Sequence, residues 1–142
     1  RQAQKYAVRT GGGQNQRLAL WAGILIKENH IAAAGGVAPA LQAALALHAG
    51  VPVQIEVESL AELEQALAAG AQNVLLDDFS LADMRAACAL NAARAQPAVL
   101  EVSGGVDIDS IRDIARTGVD RISVGKLTKD VSAVDLSLRI DA

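Results

Sequence analysis

The residues of this chain best suited to chemistry are charged groups set in or at the ends of apolar runs. Lys27 closes GILIK, Glu56 interrupts VQIEV and Asp77 closes NVLLD. An ionised carboxylate in such a run is costly unless a cation or a hydroxyl answers it. Two acids facing one cleft suit Mg²⁺ or ribose hydroxyls, since the ion takes hard oxygen ligands and the hydroxyls need acceptors. The plainer alternative is a structural salt bridge, with Lys27 or Arg17 supplying the cation. Asp78, next to Asp77, fits either reading equally.

A second group of residues fits an anion. The segment SGGVDIDSIRD puts Ser103, Gly104 and Gly105 between an apolar run and the start of a helix. Bare backbone amides can approach a phosphate there, and the dipole of a following helix favours negative charge. A tight turn needing positive φ would use the same glycines. SVGKLTKD repeats the arrangement with Gly125 and Lys129, and paired glycine loops on late strands are a recurrent phosphate cup in α/β barrels. GGGQNQR, residues 11–17, lacks both the Walker lysine spacing and the GxGxxG pattern after a strand, so it is no nucleotide fingerprint. Its Arg17 offers a planar fork for a carboxylate, or is simply a solvated loop arginine.

LIKENHI brings Asn29 and His30 close to Lys27; His30 reads first as a loop-fixing hydrogen-bonder and second as an acid or base. His48 reads as a helix C-terminal cap. Cysteine and histidine show no metal-ligand spacing, and no nucleophile–base–acid set assembles, which sets aside zinc chemistry and a serine-type triad.

These residues need elements to hold them. Short apolar runs alternate with longer Ala- and Leu-rich segments, the pattern of βα units around a parallel sheet. Strands are expected at Gly23–Lys27, Val53–Val57, Asn73–Asp77, Ala98–Val102 and Arg121–Val124. Helices are expected over the opening RQAQKYAVRT, from Val37 to Ala49, from a Ser59/Glu62 capping box to Gly70, and from Ser80 to Ala95. Two more are expected, one from an Asp107 or Asp109 cap to Gly118 and the last from Ala133 to Ile140. Every strand end then carries a polar residue or glycine, and strand ends are where parallel α/β folds build their sites. A closed eight-stranded barrel takes about 250 residues. With 142 residues, the fold class is therefore α/β, with parallel βα units forming an open sheet or part of an incomplete barrel.

Composition narrows the function classes. A net charge of -3 without a basic tract gives no footprint for nucleic acid or an anionic membrane. Aromatics are limited to Tyr6, Trp21 and Phe79, too few for base-stacking recognition of single strands. No apolar run approaches the roughly 20 residues that span a bilayer, so a soluble, cytoplasmic protein is expected. The lone Cys88 lies in a helical pattern and reads as a passive thiol. The chain opens at Arg1 within a helical pattern, which reads as a cut end.

The series KYAVRTGGGQNQR, ILIKENHI, VQIEVESLAELEQAL, NVLLDDF, LEVSGG, TGVDRISVGKLTK and VDLSLRI resembles, in order and spacing, the quinolinate phosphoribosyltransferases over essentially the whole chain. The resemblance implies that residues 1–142 form the C-terminal portion of one open α/β-barrel catalytic domain. An N-terminal domain would precede it, in a homodimer with shared active sites. It implies the substrates quinolinate and phosphoribosyl pyrophosphate, a Mg²⁺ cofactor, and decarboxylation to nicotinate mononucleotide. By position, Arg17 resembles the arginine on a quinolinate carboxylate, and Lys27 the lysine where the two substrates meet. Glu56 and Asp77 resemble the acids that address the ribose hydroxyls and Mg²⁺. Ser103, Gly104, Gly105 and Gly125 resemble the 5′-phosphate cup, with Lys129 beside it. Many members carry histidine where this chain has Gln16, which keeps a hydrogen-bond donor toward quinolinate but no charge. Two alternatives remain: a paralogue of the same scaffold associated with molybdenum uptake, and a piece that binds phosphate without turnover.

Overall fold

A computed structural model describes residues 2–140. Its centre is one sheet of five parallel strands in the order β1-β2-β3-β4-β5: Ile24–Ile26, Val53–Val57, Asn73–Asp77, Val99–Ser103 and Arg121–Ile122. The second and third strands fall where the apolar runs place them. The others shift or shorten at their ends.

The order is sequential, and each parallel neighbour is reached through at least one helix: α2 (Glu28–Ala34) and α3 (Val37–Ala46), then α4 (Leu60–Ala68), α5 (Leu81–Ala92) and α6 (Ile111–Ala115). Right-handed crossovers that always advance in one direction put every helix on the same face, as in a barrel; a doubly wound sheet reverses order midway. The register fixes which residues face those helices. Ile55 stands opposite Val74 and Val74 opposite Leu100, and all three are almost wholly buried in the core with Leu41, Leu63, Leu67 and Leu76. Burying each such side chain is worth about 1.5–3 kcal/mol.

Alternation sends the intervening residues to the opposite face. Gln54, Glu56, Leu75, Asp77, Glu101 and Ser103 lie there, in register as Glu56, Leu75 and Glu101. This inner face is mostly polar and no helix of the set α2 to α6 covers it.

Local signals explain the helix boundaries. Ser59 and Ser80 accept from the amides of Glu62 and Asp83 at 3.2 Å each, starting α4 and α5. Buried Asn91 then bonds both the carbonyl and the amide of Ala98, at 2.7 and 2.9 Å, fixing where β4 begins. α1 (Gln2–Thr10) ends as Gly11 and Gly13 return their amides to Ala7 and Val8, with Gly12 at φ 83. The triple glycine is thus a helix stop.

The structure departs from expectation in several places. α3 and α5 end three residues short of their expected limits, and α2 arises where only a loop cluster was expected. α2 is set off by the Lys27 amide donating to His30 Nδ1 at 3.0 Å and stopped by Gly35 at φ 83, so His30 fixes the loop. His48 lies past the end of α3 at φ 45, where only its backbone amide bonds back, to Leu45. No helix forms from Ala133 to Ile140. Val134, Leu136, Leu138 and Ile140 alternate with polar residues, a period of two that gives no helical face, and all four are exposed. No helix among the described residues is long and apolar enough to cross a membrane.

Candidate functional site

Four of the expected site residues meet in pairs at the carboxyl ends of neighbouring strands. Lys27, just beyond β1, donates from Nζ to Glu56 Oε1 at 3.0 Å. The Glu56 side chain is 8% exposed and that of Lys27 48%, so the acid is sunk in the face while the amine sits at its mouth. Glu56 holds the Lys27 pKa above the ordinary lysine value, first through this hydrogen bond and also through its charge, against the opposing effect of burial. One strand over, Ser103 Oγ donates to Asp77 Oδ1 at 2.6 Å across a register pair. The acids are thus answered by a cation and a hydroxyl respectively, and both stand at one end of the inner face.

The glycine loop follows directly. Gly104 has φ 87, and a Cβ there would lie 2.8 Å from the Asp78 amide nitrogen. Asp78 is itself left-handed, at φ 56, and its amide donates to the Ser103 carbonyl at 3.2 Å. Two turns therefore interlock, and only glycine fits one of them. Gly105, at φ 58, opens onto free space.

The helix expected to reinforce this loop starts later, at Ile111, and has five residues. Between them, Asp107 Oδ1 accepts from the amides of Asp109 and Ser110 at 3.2 and 2.9 Å. An anion at this loop would therefore meet the loop's own amides rather than a helix N-terminus. Gly125 precedes α7 (Lys126–Lys129), with Lys129 exposed at its end. Lys126 Nζ donates to Asp107 Oδ2 at 3.0 Å and clasps the two glycine loops together. The Ser110 amide and the Lys126 ammonium, in that order, hold the Asp107 carboxyl well below the usual range.

Arg17 and Gln16 lie elsewhere on the inner face. Arg17 Nη1 donates to the Gly23 carbonyl at 2.7 Å, at the amino end of β1, roughly 13 Å along an extended chain from Lys27. Gln16 Nε2 donates to Glu101 Oε1, which also accepts from Ser123 Oγ. Glu101 Oε2 accepts from Gln54 Nε2 at 2.9 Å. A cavity of about 770 Å³ runs over this part of the face, lined by Gln16, Arg17, Gln54, Asn73, Glu101 and Arg121 among others. Sequence reasoning missed Glu101. The signal was present, an acid inside AVLEV just as Glu56 is inside VQIEV, but the adjacent SGG turn absorbed the segment.

No group of three or more potential metal ligands occurs among the described residues. Glu56 and Asp77 nonetheless supply hard carboxylate oxygens at one mouth. That suits a Mg²⁺ carried mainly by substrate phosphates, which asks the protein for only one or two carboxylates.

A parallel βα sheet with its helices on one face gathers acids, an amine and bare amides at its strand ends, the arrangement of the α/β-barrel class. The family model described as quinolinate phosphoribosyl transferase, C-terminal domain, matches residues 1–139, and the chain belongs to that family. It is 43% identical over 138 residues to the carboxylating nicotinate-nucleotide pyrophosphorylase of Mycobacterium leprae, covering 97% of this chain and 49% of that protein. The human protein of the same name is 36% identical over 143 residues, covering 100% and 48%. The solved nicotinate-nucleotide pyrophosphorylase of Francisella tularensis superposes with a TM-score of 0.88 at 52% identity, covering 95% of this chain and 47% of that one. The chain spans about half the length of the curated relatives it matches.

Proposed function

We propose that this chain supplies the carboxyl-terminal part of a site that transfers phosphoribose from phosphoribosyl pyrophosphate to quinolinate and releases CO₂, giving nicotinate mononucleotide for NAD biosynthesis. The observation that carries this reading is the strand-end cluster, Lys27–Glu56 beside Asp77–Ser103 with the Gly104–Gly105 turn, on a chain matched by one family over residues 1–139.

The ring nitrogen of quinolinate displaces pyrophosphate from the anomeric carbon. The chain's contribution is position and charge. Lys27, kept protonated by Glu56, meets negative charge where the two substrates adjoin. Glu56 and Asp77 accept from ribose hydroxyls and stand near the cationic sugar that develops as pyrophosphate leaves. Ser103, Gly104, Gly105 and Gly125 receive the 5′-phosphate, with the Lys129 ammonium beside it. Gln16 and Arg17 address the pyridine carboxylates. Once the ring nitrogen is quaternised, the carbanion left by CO₂ loss sits beside positive charge, and no further cofactor is required. Mg²⁺, held by the substrate with Glu56 and Asp77, would neutralise charge on the departing pyrophosphate.

The same reading has the remainder of the protein closing the inner face and completing the site within a cytoplasmic homodimer. It is tested by supplying full-length protein with quinolinate, phosphoribosyl pyrophosphate and Mg²⁺. Release of CO₂ with one nicotinate mononucleotide per turnover is expected; absence of CO₂ from a folded protein sinks it.

A further inference from the structure

Glu101 is a carboxylate that the strand-end cluster does not use. It lies on the inner face of β4, 4% exposed, and its recorded partners are three neutral donors: Gln16, Ser123 and Gln54. A buried carboxylate is tolerated when donors saturate its oxygens. The question is what that saturation achieves. Gln54 stands in β2, and Ser123 directly follows β5 with its amide bonded to the Val102 carbonyl at 2.8 Å, so the sheet already holds both in place. The third comes from a loop residue 85 positions away in sequence.

That loop has few other attachments. The Lys5 ammonium donates to the Gln16 carbonyl at 2.8 Å, and Asn15 Nδ2 donates to the Lys5 carbonyl at 2.9 Å. Both tie it to α1, which buries no residue of its own. The Gln16–Glu101 bond is therefore, with the Arg17–Gly23 bond at the start of β1, where buried groups of the sheet grip the loop. It also orients the amide: with Nε2 turned to the carboxylate, Gln16 Oε1 faces the Arg17 amide, from which it accepts at 3.3 Å. The Gln16 side chain is thereby engaged at both ends and holds the Arg17 backbone, while the Arg17 guanidinium is held at its far end by the Gly23 carbonyl at 2.7 Å.

We infer that Glu101 is a positioning residue for the pyridine-dicarboxylate end of the site, fixing Gln16 and through it the Arg17 backbone from which the guanidinium reaches. This rests on the quinolinate reading above. It differs from that reading in predicting a defect confined to one of the two substrates.

The test is steady-state kinetics on full-length protein with each substrate varied separately. Glu101→Gln removes the charge and one acceptor, and is expected to raise KM for quinolinate at least about 10-fold. KM for phosphoribosyl pyrophosphate and kcat should stay within about 3-fold. Gln16→Leu, at an exposed loop position, is expected to give the same profile whether or not the Glu101 variant folds. The double variant should be no worse than either single, because both remove one bond. Equal rises in the two KM values, additive losses, or unchanged quinolinate KM in Gln16→Leu overturns the inference. Wild-type protein with no turnover of quinolinate would instead fell the parent reading; normal wild-type turnover with indifferent variants fells this inference alone.

Discussion

A charged side chain in an apolar run is informative because burial without an answer is expensive, and the sequence alone marks such places. Lys27, Glu56 and Asp77 were legible in this way and Ser103 through the glycine turn that follows it, and the structure joins them as Lys27–Glu56 and Asp77–Ser103. What the sequence left open was whether the Lys27–Glu56 contact is a strut or a tool. The structure contains the salt bridge, so the distinction falls to its consequences. Glu56 raises the pKa of Lys27 by hydrogen bond first and by charge as well. A raised lysine pKa means that the pair's stabilisation is fully present below the unfolded value of about 10.4 and fades only as pH climbs through the higher folded value. The pair is therefore intact across neutral pH. Glu56→Gln keeps the shape, removes the larger raising influences and should bring the Lys27 titration, followed by NMR, down toward or below the ordinary range. Turnover should fall by about 100-fold or more, with the melting temperature nearly unchanged. A large drop in melting temperature with activity retained would make the pair a strut. Glu101 carries the same local mark inside AVLEV, but its pairing with Gln16 was not legible, because no local pattern announces a bond between a loop and a strand so far apart.

Elements were legible where caps and periodicity agree. Ser59 and Ser80 each start a helix as their side chains require, and the β2 and β3 runs coincide with the strands. Two elements misled. α2 is short and lacks a Ser, Thr, Asp or Asn cap, so its start depends on His30 bonding back to Lys27, which periodicity does not register. The tail from Ala133 to Ile140 has helix-forming residues but a two-residue alternation. The glycine loop also proved more differentiated than its GG spelling suggests. Both glycines are left-handed, yet only Gly104 packs against another backbone. Alanine at either site meets the left-handed penalty of about 1–2 kcal/mol. At Gly104 its Cβ would also press on the Asp78 amide nitrogen at 2.8 Å, where a rigid backbone must move. Urea denaturation of the two variants should show Gly105→Ala costing about 1 kcal/mol and Gly104→Ala more than about 2 kcal/mol. Equal costs would mean that the Asp78 turn yields freely and does not set the shape of the loop.

At the scale of the whole molecule the sheet has two unlike faces, and the sequence shows why only in part. The helix-facing side is a continuous aliphatic core readable from the strand runs. The other side alternates with it, and its polar character was visible at Glu56 and Asp77, but not the extent to which it lies open over a cavity of about 770 Å³. Leu75 is the buried apolar residue on that side, where Leu25 and Val99 are only partly covered. It is 6% exposed, in register with Glu56 and Glu101, and lines the cavity, whereas its neighbour Leu76 is fully buried among the helices. If the remaining half of a relative-sized protein closes over the inner face as further barrel strands, Leu75 becomes a core residue of the barrel interior, a layer that barrels fill with side chains. In full-length protein Leu75→Ala should then cost about as much as Leu76→Ala, each in the range of about 2–5 kcal/mol by chemical denaturation. A Leu75→Ala cost below about 1 kcal/mol beside a full cost for Leu76→Ala would leave the inner face open to water in the intact protein. The strand-end cluster would then stand at the rim of an open sheet, where solvent screens the charges that the proposed transfer relies on.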